Sequence, residues 1–278
     1  MLCSTCRLRP PVTADGHCLL CAGPAGPAGP TAPMPQAPRP LVPAFIAPQQ
    51  YLRSPDGLAK AAVILLMVVA VTDLLAVAAG LNVRSLLANG LENDFATYDD
   101  AEATLADNLY GAAGALQSVM TLATAVVFII WFRRVRLNAE VFDSSLQPMS
   151  PGWAVGAWFV PVANLVLPRR IAGGIWTASA QTNTDGSWRT VQATPMNLWW
   201  GAWVCSLAFS WVTYRQYMKA EDTQEIIDTT GLVMASDAFD IVAAVLAILF
   251  VRKLTRMQGE RAVLGLYPLG TQPSAAAH

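Results

Sequence analysis

Residues 58–81, LAKAAVILLMVVAVTDLLAVAAGL, decide the class of fold. Charge enters this run only as Lys60 at its edge and Asp73 inside, and its length matches the roughly 20 apolar residues that cross a bilayer. Three further runs read the same way. Residues 108–132 and 190–214 carry no charge, the latter holding Trp199, Trp200, Trp203 and Trp211, and residues 231–251 contain Asp237 and Asp240. Composition agrees: 54% of the 278 residues are apolar, and Asp, Glu, Lys and Arg together make up 13%, about half the usual soluble share. So few charges cannot cover a water-facing surface. The expectation is an all-α, polytopic membrane helix bundle. A net charge of −1 lacks the basic excess of a nucleic-acid binder, and with His17 and His278 as the 2 His, none serves a site inside the membrane.

Ahead of the bundle the chain changes character twice. CSTC at residues 3–6 and CLLC at 18–21 form two Cys-x-x-Cys pairs, so Cys3, Cys6, Cys18 and Cys21 fit a tetrahedral zinc site. Two disulfides or four free thiols are the alternatives. Four thiolates leave no open coordination position, so Zn2+ here is structural, and it supplies most of the folding free energy of so small a zinc-ribbon-like module. Residues 22–55 are rich in Pro, Ala and Gly, and the GPAGPAGP triplets at 23–30 stop too soon for collagen. They read as a linker of polyproline character, able to extend roughly 100 Å. The expected organisation is thus a zinc module (1–21), a linker (22–55), a membrane helical domain (56–257) and a flexible tail (258–278).

Between the second and third runs, residues 144–168 are free of charge but interrupted by Pro148, Pro151, Pro161 and Pro168. The 16 residues between Pro151 and Pro168 make about 24 Å of helix, short of the roughly 30 Å of hydrocarbon. This segment is expected to be re-entrant or interfacial, beside four spanning helices. Orientation follows from the distribution of Lys and Arg. Of the 18 basic residues only Arg84, Arg215 and Lys219 fall in the first-to-second and third-to-fourth connections. Those connections are acidic instead, with Glu92, Asp94, Asp99, Asp100, Glu102, Asp107, Glu221, Asp222, Glu225 and Asp228. A multi-pass protein of the cell membrane with both termini cytoplasmic accounts for this division.

The stretch GWAVGAWFVPVANLVLPRRIAGGIWTAS, residues 152–179, resembles the W-x-x-x-x-W-F-x-P-x-x-N-L-x-x-P core of a bacterial multi-pass membrane family, domain of unknown function 4328. Trp153, Trp158, Phe159, Pro161, Asn164, Leu165, Pro168 and Trp176 carry the likeness. The resemblance implies a helical membrane domain reaching from the first membrane helix to the last. It also implies an actinobacterial type of chain, often with a variable cytoplasmic extension at its amino end. It brings no activity with it.

Asp73, Asp237 and Asp240 are the candidate chemistry. A carboxylate in a membrane helix costs at least ~2.5 kcal/mol on insertion scales, so it faces the bundle interior. Asp73 lies about 12 Å from the outer end of its helix and Asp240 about 13 Å from its own, with Asp237 one turn further out on the same face. If the first and last helices are neighbours, the three form one acidic cluster. No basic side chain on these helices matches that depth, so a shared proton or a bound cation is required. One reading makes the aspartates packing groups hydrogen-bonded by Gln117, Ser118, Thr121, Ser206 or Ser210. The other makes them a proton or cation site. A two-aspartate intramembrane protease is disfavoured, because the Gly-x-Gly-Asp context is absent. Cys205 reads as a small packing residue and the Trp residues as interfacial belts and packing, while Asn164 reads as a partner for backbone freed by Pro161 or as a solute contact. The sequence thus favours a non-enzymatic anchor or sensor whose zinc module contacts a cytoplasmic protein partner. A small-solute or proton- or cation-coupled transporter using the aspartates is the alternative.

Overall fold

In the computed structural model of the chain, the residues described are 3, 4, 6–8, 15, 16, 18, 21, 51–96, 99–180 and 191–263. They divide into two compact units, Met1–Gln49 and Gln50–His278. The linker over 22–50 and the tail beyond 263 lie outside the described residues.

The larger unit is all-helical among the described residues: α1 (Asp56–Glu92), α2 (Asp100–Phe142), α3 (Trp153–Gly156), α4 (Leu167–Ala178), α5 (Thr194–Tyr217) and α6 (Thr223–Val263). Acidic side chains begin the long helices, where backbone N–H groups are unpaired. Asp99 accepts from Ala101 N at 2.8 Å, and Asp222 accepts from Glu225 N at 2.8 Å. Pro begins α4 and α5, where its missing N–H costs nothing.

α1, α2 and α6 are long and apolar enough to cross a membrane. Large apolar side chains such as Ile64, Val71, Leu122, Val126, Val245 and Leu249 point outward along them, as lipid-facing residues do. The fourth expected crossing, α5, has the length, about 36 Å for its 24 residues. Its Asn, Ser, Thr, Tyr and Trp side chains leave it without the sustained apolar stretch that the other three have. Packing runs α2 against α1, α1 against α6, and α6 against α5. Gly80 permits the close approach of α1 and α6: a Cβ there would stand 3.0 Å from Met234 Cγ.

The Pro-broken segment does not traverse the bundle. It leaves α2 at Phe142, and Met149 O accepts from Arg136 Nη2 at 2.6 Å. It returns through α4 to Ser179, whose Oγ accepts from Gln258 Nε2 at 3.2 Å, while the same amide donates to Val135 O at 2.8 Å. Entry and exit therefore lie at one level, the basic end of α2. Between them the chain turns sharply at Val162 (φ 64°, ψ −45°), where Ala163 N donates to Pro161 O at 2.7 Å. This is a γ-turn of the rare, strained hand. Gly174 is required in the return leg, since a Cβ would stand 2.7 Å from Leu146 O.

The dense core gathers at this same end, around Trp131, Phe132, Ile175, Trp176, Trp199 and Phe250. A buried polar layer caps it. Arg136 pairs with Glu140 at 2.9 Å, and Asn138 Nδ2 donates to Arg53 O at 2.9 Å and to Gln258 Oε1 at 3.1 Å. The expected tail boundary at 257/258 is displaced, because α6 continues to Val263 and buries Gln258 and Arg261. Gln258→Leu should therefore lower stability by about 2 kcal/mol, since it leaves the Val135 carbonyl and the Asn138 amide short of a partner. Unfolding of the detergent-solubilised protein checks this. A residue of a flexible tail would give no change.

Candidate functional site

In the amino-terminal unit the four expected cysteines converge. The Sγ atoms of Cys3, Cys6, Cys18 and Cys21 all lie within 4.8 Å of one another, and no disulfide joins them. Each pair sits on a tight turn: Arg7 N donates to Cys3 O at 3.0 Å, and Cys21 N to Cys18 O at 2.9 Å. The connecting loop is tied down by Ser4 N donating to Gly16 O at 2.9 Å, with Gly16 at a φ of 75° that its lack of a Cβ permits. The described residues of this unit form turns and no strand. Cys6 and Cys18 Sγ lie 3.7 Å apart, close to the ~3.8 Å edge of a tetrahedron with 2.3 Å metal–sulfur bonds. Hydrogen bonding with Cys18 and Cys6 pushes the Cys21 thiol up to about 12, and a bound cation is what ionises thiols crowded in this way. The four donors thus lie close enough to hold one metal ion.

In the membrane unit the three aspartates share one cleft. Gln117 of α2 stands between Asp73 of α1 and Asp237 of α6, its Nε2 donating to Asp73 Oδ1 at 2.7 Å and to Asp237 Oδ1 at 2.9 Å. Both protons of the amide are thereby committed. Asp73 is 1% exposed, and its Oδ2 is buried without a hydrogen-bond partner. Asp240 sits apart from this bridge and accepts from Ser206 Oγ, with Ser210 Oγ at 3.5 Å from its other oxygen. Ser210 also meets Ser236 at 3.0 Å. Of the five candidate partners, Gln117, Ser206 and Ser210 bind the aspartates, while Ser118 turns back to Gly114 O at 2.8 Å. The central pair is therefore Asp73 with Asp237, and Asp240 is the hydroxyl-held third member.

The cleft has a volume of about 1010 Å³ and runs between α2 and α5, floored by α1 and α6. Small side chains make the space: Gly111, Gly114 and Ser118 on α2, and Ala243, Ala244 and Ala247 on α6. No Lys, Arg or His among the described residues lines it. At one end it is closed by Trp158, which packs edge-on against Phe132 at 5.6 Å and against Trp203 at 5.5 Å. Trp199 adds to this end, stacked on Phe250 at 4.2 Å. The motif of the Pro-broken segment thus seats Trp158 in the bundle and Trp176 in the core. Trp153, Phe159 and Leu165 stay at the surface, and Pro168 is buried at the start of α4. Pro161 precedes the strained turn, and the Asn164 side chain has no hydrogen-bond partner among the described residues, so it takes up no freed backbone group. Cys205 is exposed on α5 rather than packed. Sequence reasoning missed Trp158, Trp199, Trp203, Tyr110 and Tyr214 as cleft walls. The spacing of Gly111, Gly114 and Ser118, which puts three small residues on one helix face, was the available signal.

A helical bundle with three helices fit to cross a membrane and a proline-broken segment beside them is the class that this fold defines. Residues 95–256 match the model of a family described as Domain of unknown function (DUF4328), more than half of the chain, and the chain belongs to that family. The match is narrower than a span from first to last membrane helix, because α1, which supplies Asp73, precedes it. No curated protein and no solved structure matches the chain.

For the cysteine cluster, purified full-length protein should carry one metal ion per chain by elemental analysis, and Cys18→Ser should lose it. Fully reduced protein recovered without stoichiometric metal would contradict the site.

Proposed function

We propose that this is a four-crossing protein of the cell membrane, α5 being the fourth crossing, whose bundle binds a cation or proton at Asp73 and Asp237. Both termini are cytoplasmic, since the basic residues gather at the end of the bundle from which the Pro-broken segment departs. Asp73 carries the reading. A carboxylate at membrane depth, nearly inaccessible and with one oxygen unpartnered, makes a poor packing group: the packing role asks for satisfied hydrogen bonds, as Asp240 has. Its nearest companions are a second carboxylate and a neutral amide whose donors are already used. Positive charge is what the pair lacks. Such a site serves a cation- or proton-coupled transporter or a membrane sensor, and it needs no enzymatic step.

The anchor-and-sensor reading keeps one specific support, the convergence of four sulfurs in the amino-terminal unit. All-thiolate ligation with this spacing suits Zn2+, whose tetrahedral preference matches the Cys6–Cys18 separation of 3.7 Å. Zinc would hold the two turns together, leaving the module's surface to contact a cytoplasmic partner protein. The two roles are compatible in one chain.

Dicyclohexylcarbodiimide tests the cation site, because it modifies protonated carboxyls in apolar surroundings. Peptide mass spectrometry of the treated full-length protein should find the adduct at Asp73 or Asp237. Sodium, potassium, lithium or calcium should suppress it by occupying the pair, and Asp73→Asn should abolish the sensitivity. Labelling indifferent to every cation supplied would leave the proton as the occupant, and no adduct at either residue would reduce the cluster to packing.

A further inference from the structure

We propose, building on the cation-site reading above, that the natural occupant of the cleft is a lipophilic organic cation that enters sideways between α2 and α5. Three observations point to this class. First, the cleft is large, and its size has a cause in the helix order. α2 and α5 are the two ends of the packing series α2–α1–α6–α5. They meet through Phe128 and Trp199, 5.6 Å apart, at the closed end. Along the rest of their length they flank the cleft. Leu122 of α2 and Leu207 and Tyr214 of α5 line it while remaining 69%, 42% and 62% exposed, so they form its lips. In a membrane, lips on that side of a bundle face lipid. A volume of about 1010 Å³ lies at the upper end of the range for pockets that take a drug-sized molecule, far beyond the need of a bare ion.

Second, the charge is one-sided. Asp73, Asp237 and Asp240 all line the cleft and no basic side chain among the described residues does. Third, the walls suit diffuse rather than concentrated positive charge. A small inorganic cation needs about six or more oxygens at close range, so one held at this pair keeps part of its water and leaves the apolar remainder of the cleft unfilled. Here the two nearest carboxylates each give one oxygen to the Gln117 amide, and the remaining surface is mainly apolar or aromatic. A quaternary ammonium or phosphonium needs no such shell. It loses less on leaving water, and its charge is attracted to aromatic faces such as those of Trp158, Trp203 and Tyr110. Its apolar groups then fill the space that Gly111, Gly114 and the α6 alanines leave open.

Tetraphenylphosphonium is the probe, with the neutral triphenylphosphine oxide as its control. Both are titrated calorimetrically into full-length protein in lipid nanodiscs, and empty nanodiscs give the partitioning background. The phosphonium should bind saturably and the oxide should not. Asp73→Asn and Asp237→Asn should each weaken phosphonium binding roughly tenfold or more. Gly114→Phe puts a ring into the open cleft, since nothing lies within 4 Å of where a Cβ on Gly114 would stand. It should abolish phosphonium binding. Phosphonium binding no stronger than that of the oxide, or unchanged in Asp73→Asn and Gly114→Phe, would overturn the organic-cation occupant. Small-ion suppression of the label without phosphonium binding would leave the cation site standing and remove this occupant. Loss of both would remove both.

Discussion

One side-chain amide joins three of the long helices. Gln117 donates from a single nitrogen to a carboxylate on α1 and to another on α6, at 2.7 and 2.9 Å. In water such a bridge would be worth little, because each partner has solvent as an alternative. In a bilayer the alternative is hydrocarbon, so the bridge fixes the rotation of α1, α2 and α6 about their axes. Everything that lines the cleft follows from that rotation. Gly80 must face α6, and Gly111, Gly114 and Ser118 must face the cleft. The outward residues, Ile64, Leu122 and Val245 among them, then turn to lipid.

The two halves of the bundle are built on opposite principles. At the basic end, aromatic rings interlock and a buried polar layer of Arg136, Asn138 and Gln258 ties α2 to α6, to the segment before α1 and to the end of α4. The strained turn at Val162, a conformation costing about 1–3 kcal/mol, belongs to the segment that delivers Trp158 to this end. Toward the acidic end the interior opens around the carboxylates, with Tyr110 and Tyr214 among its walls. A rigid, fully packed base beneath a hollow, charged upper half is the arrangement expected of a binding site on a scaffold.

Much of this could be read from the chain, for definite reasons. Asp73, Asp237 and Asp240 stand out because a charge inside an apolar run has few innocent explanations. The cysteines stand out because their spacing alone nearly determines their geometry. The proline spacing argued against a full crossing by residues 144–168, since only 16 residues lie between Pro151 and Pro168. Other features depend on which helices become neighbours, and periodicity does not encode that. The cleft exists because α5 packs on α6 and leaves α2 standing free beside it, a fact of tertiary order. Depth placed Asp240 beside Asp73, yet hydroxyls on α5 captured Asp240 and left Asp237 as the partner across Gln117. Gln258 and Arg261 are polar and follow the last apolar run, so they read as tail. The polar layer at the basic end supplied the partners that bury them.

The central claim is that Asp73 and Asp237 act as one unit, and a double-mutant cycle on unfolding free energy measures that unit directly. Asp73→Asn, Asp237→Asn and the double variant would be unfolded in the same detergent and compared with the parent chain. Groups sharing one amide and one buried space should couple by between about 0.5 and 3 kcal/mol. Single-variant effects that add to within about 0.3 kcal/mol would mean two independent carboxyls, and the shared site would not exist.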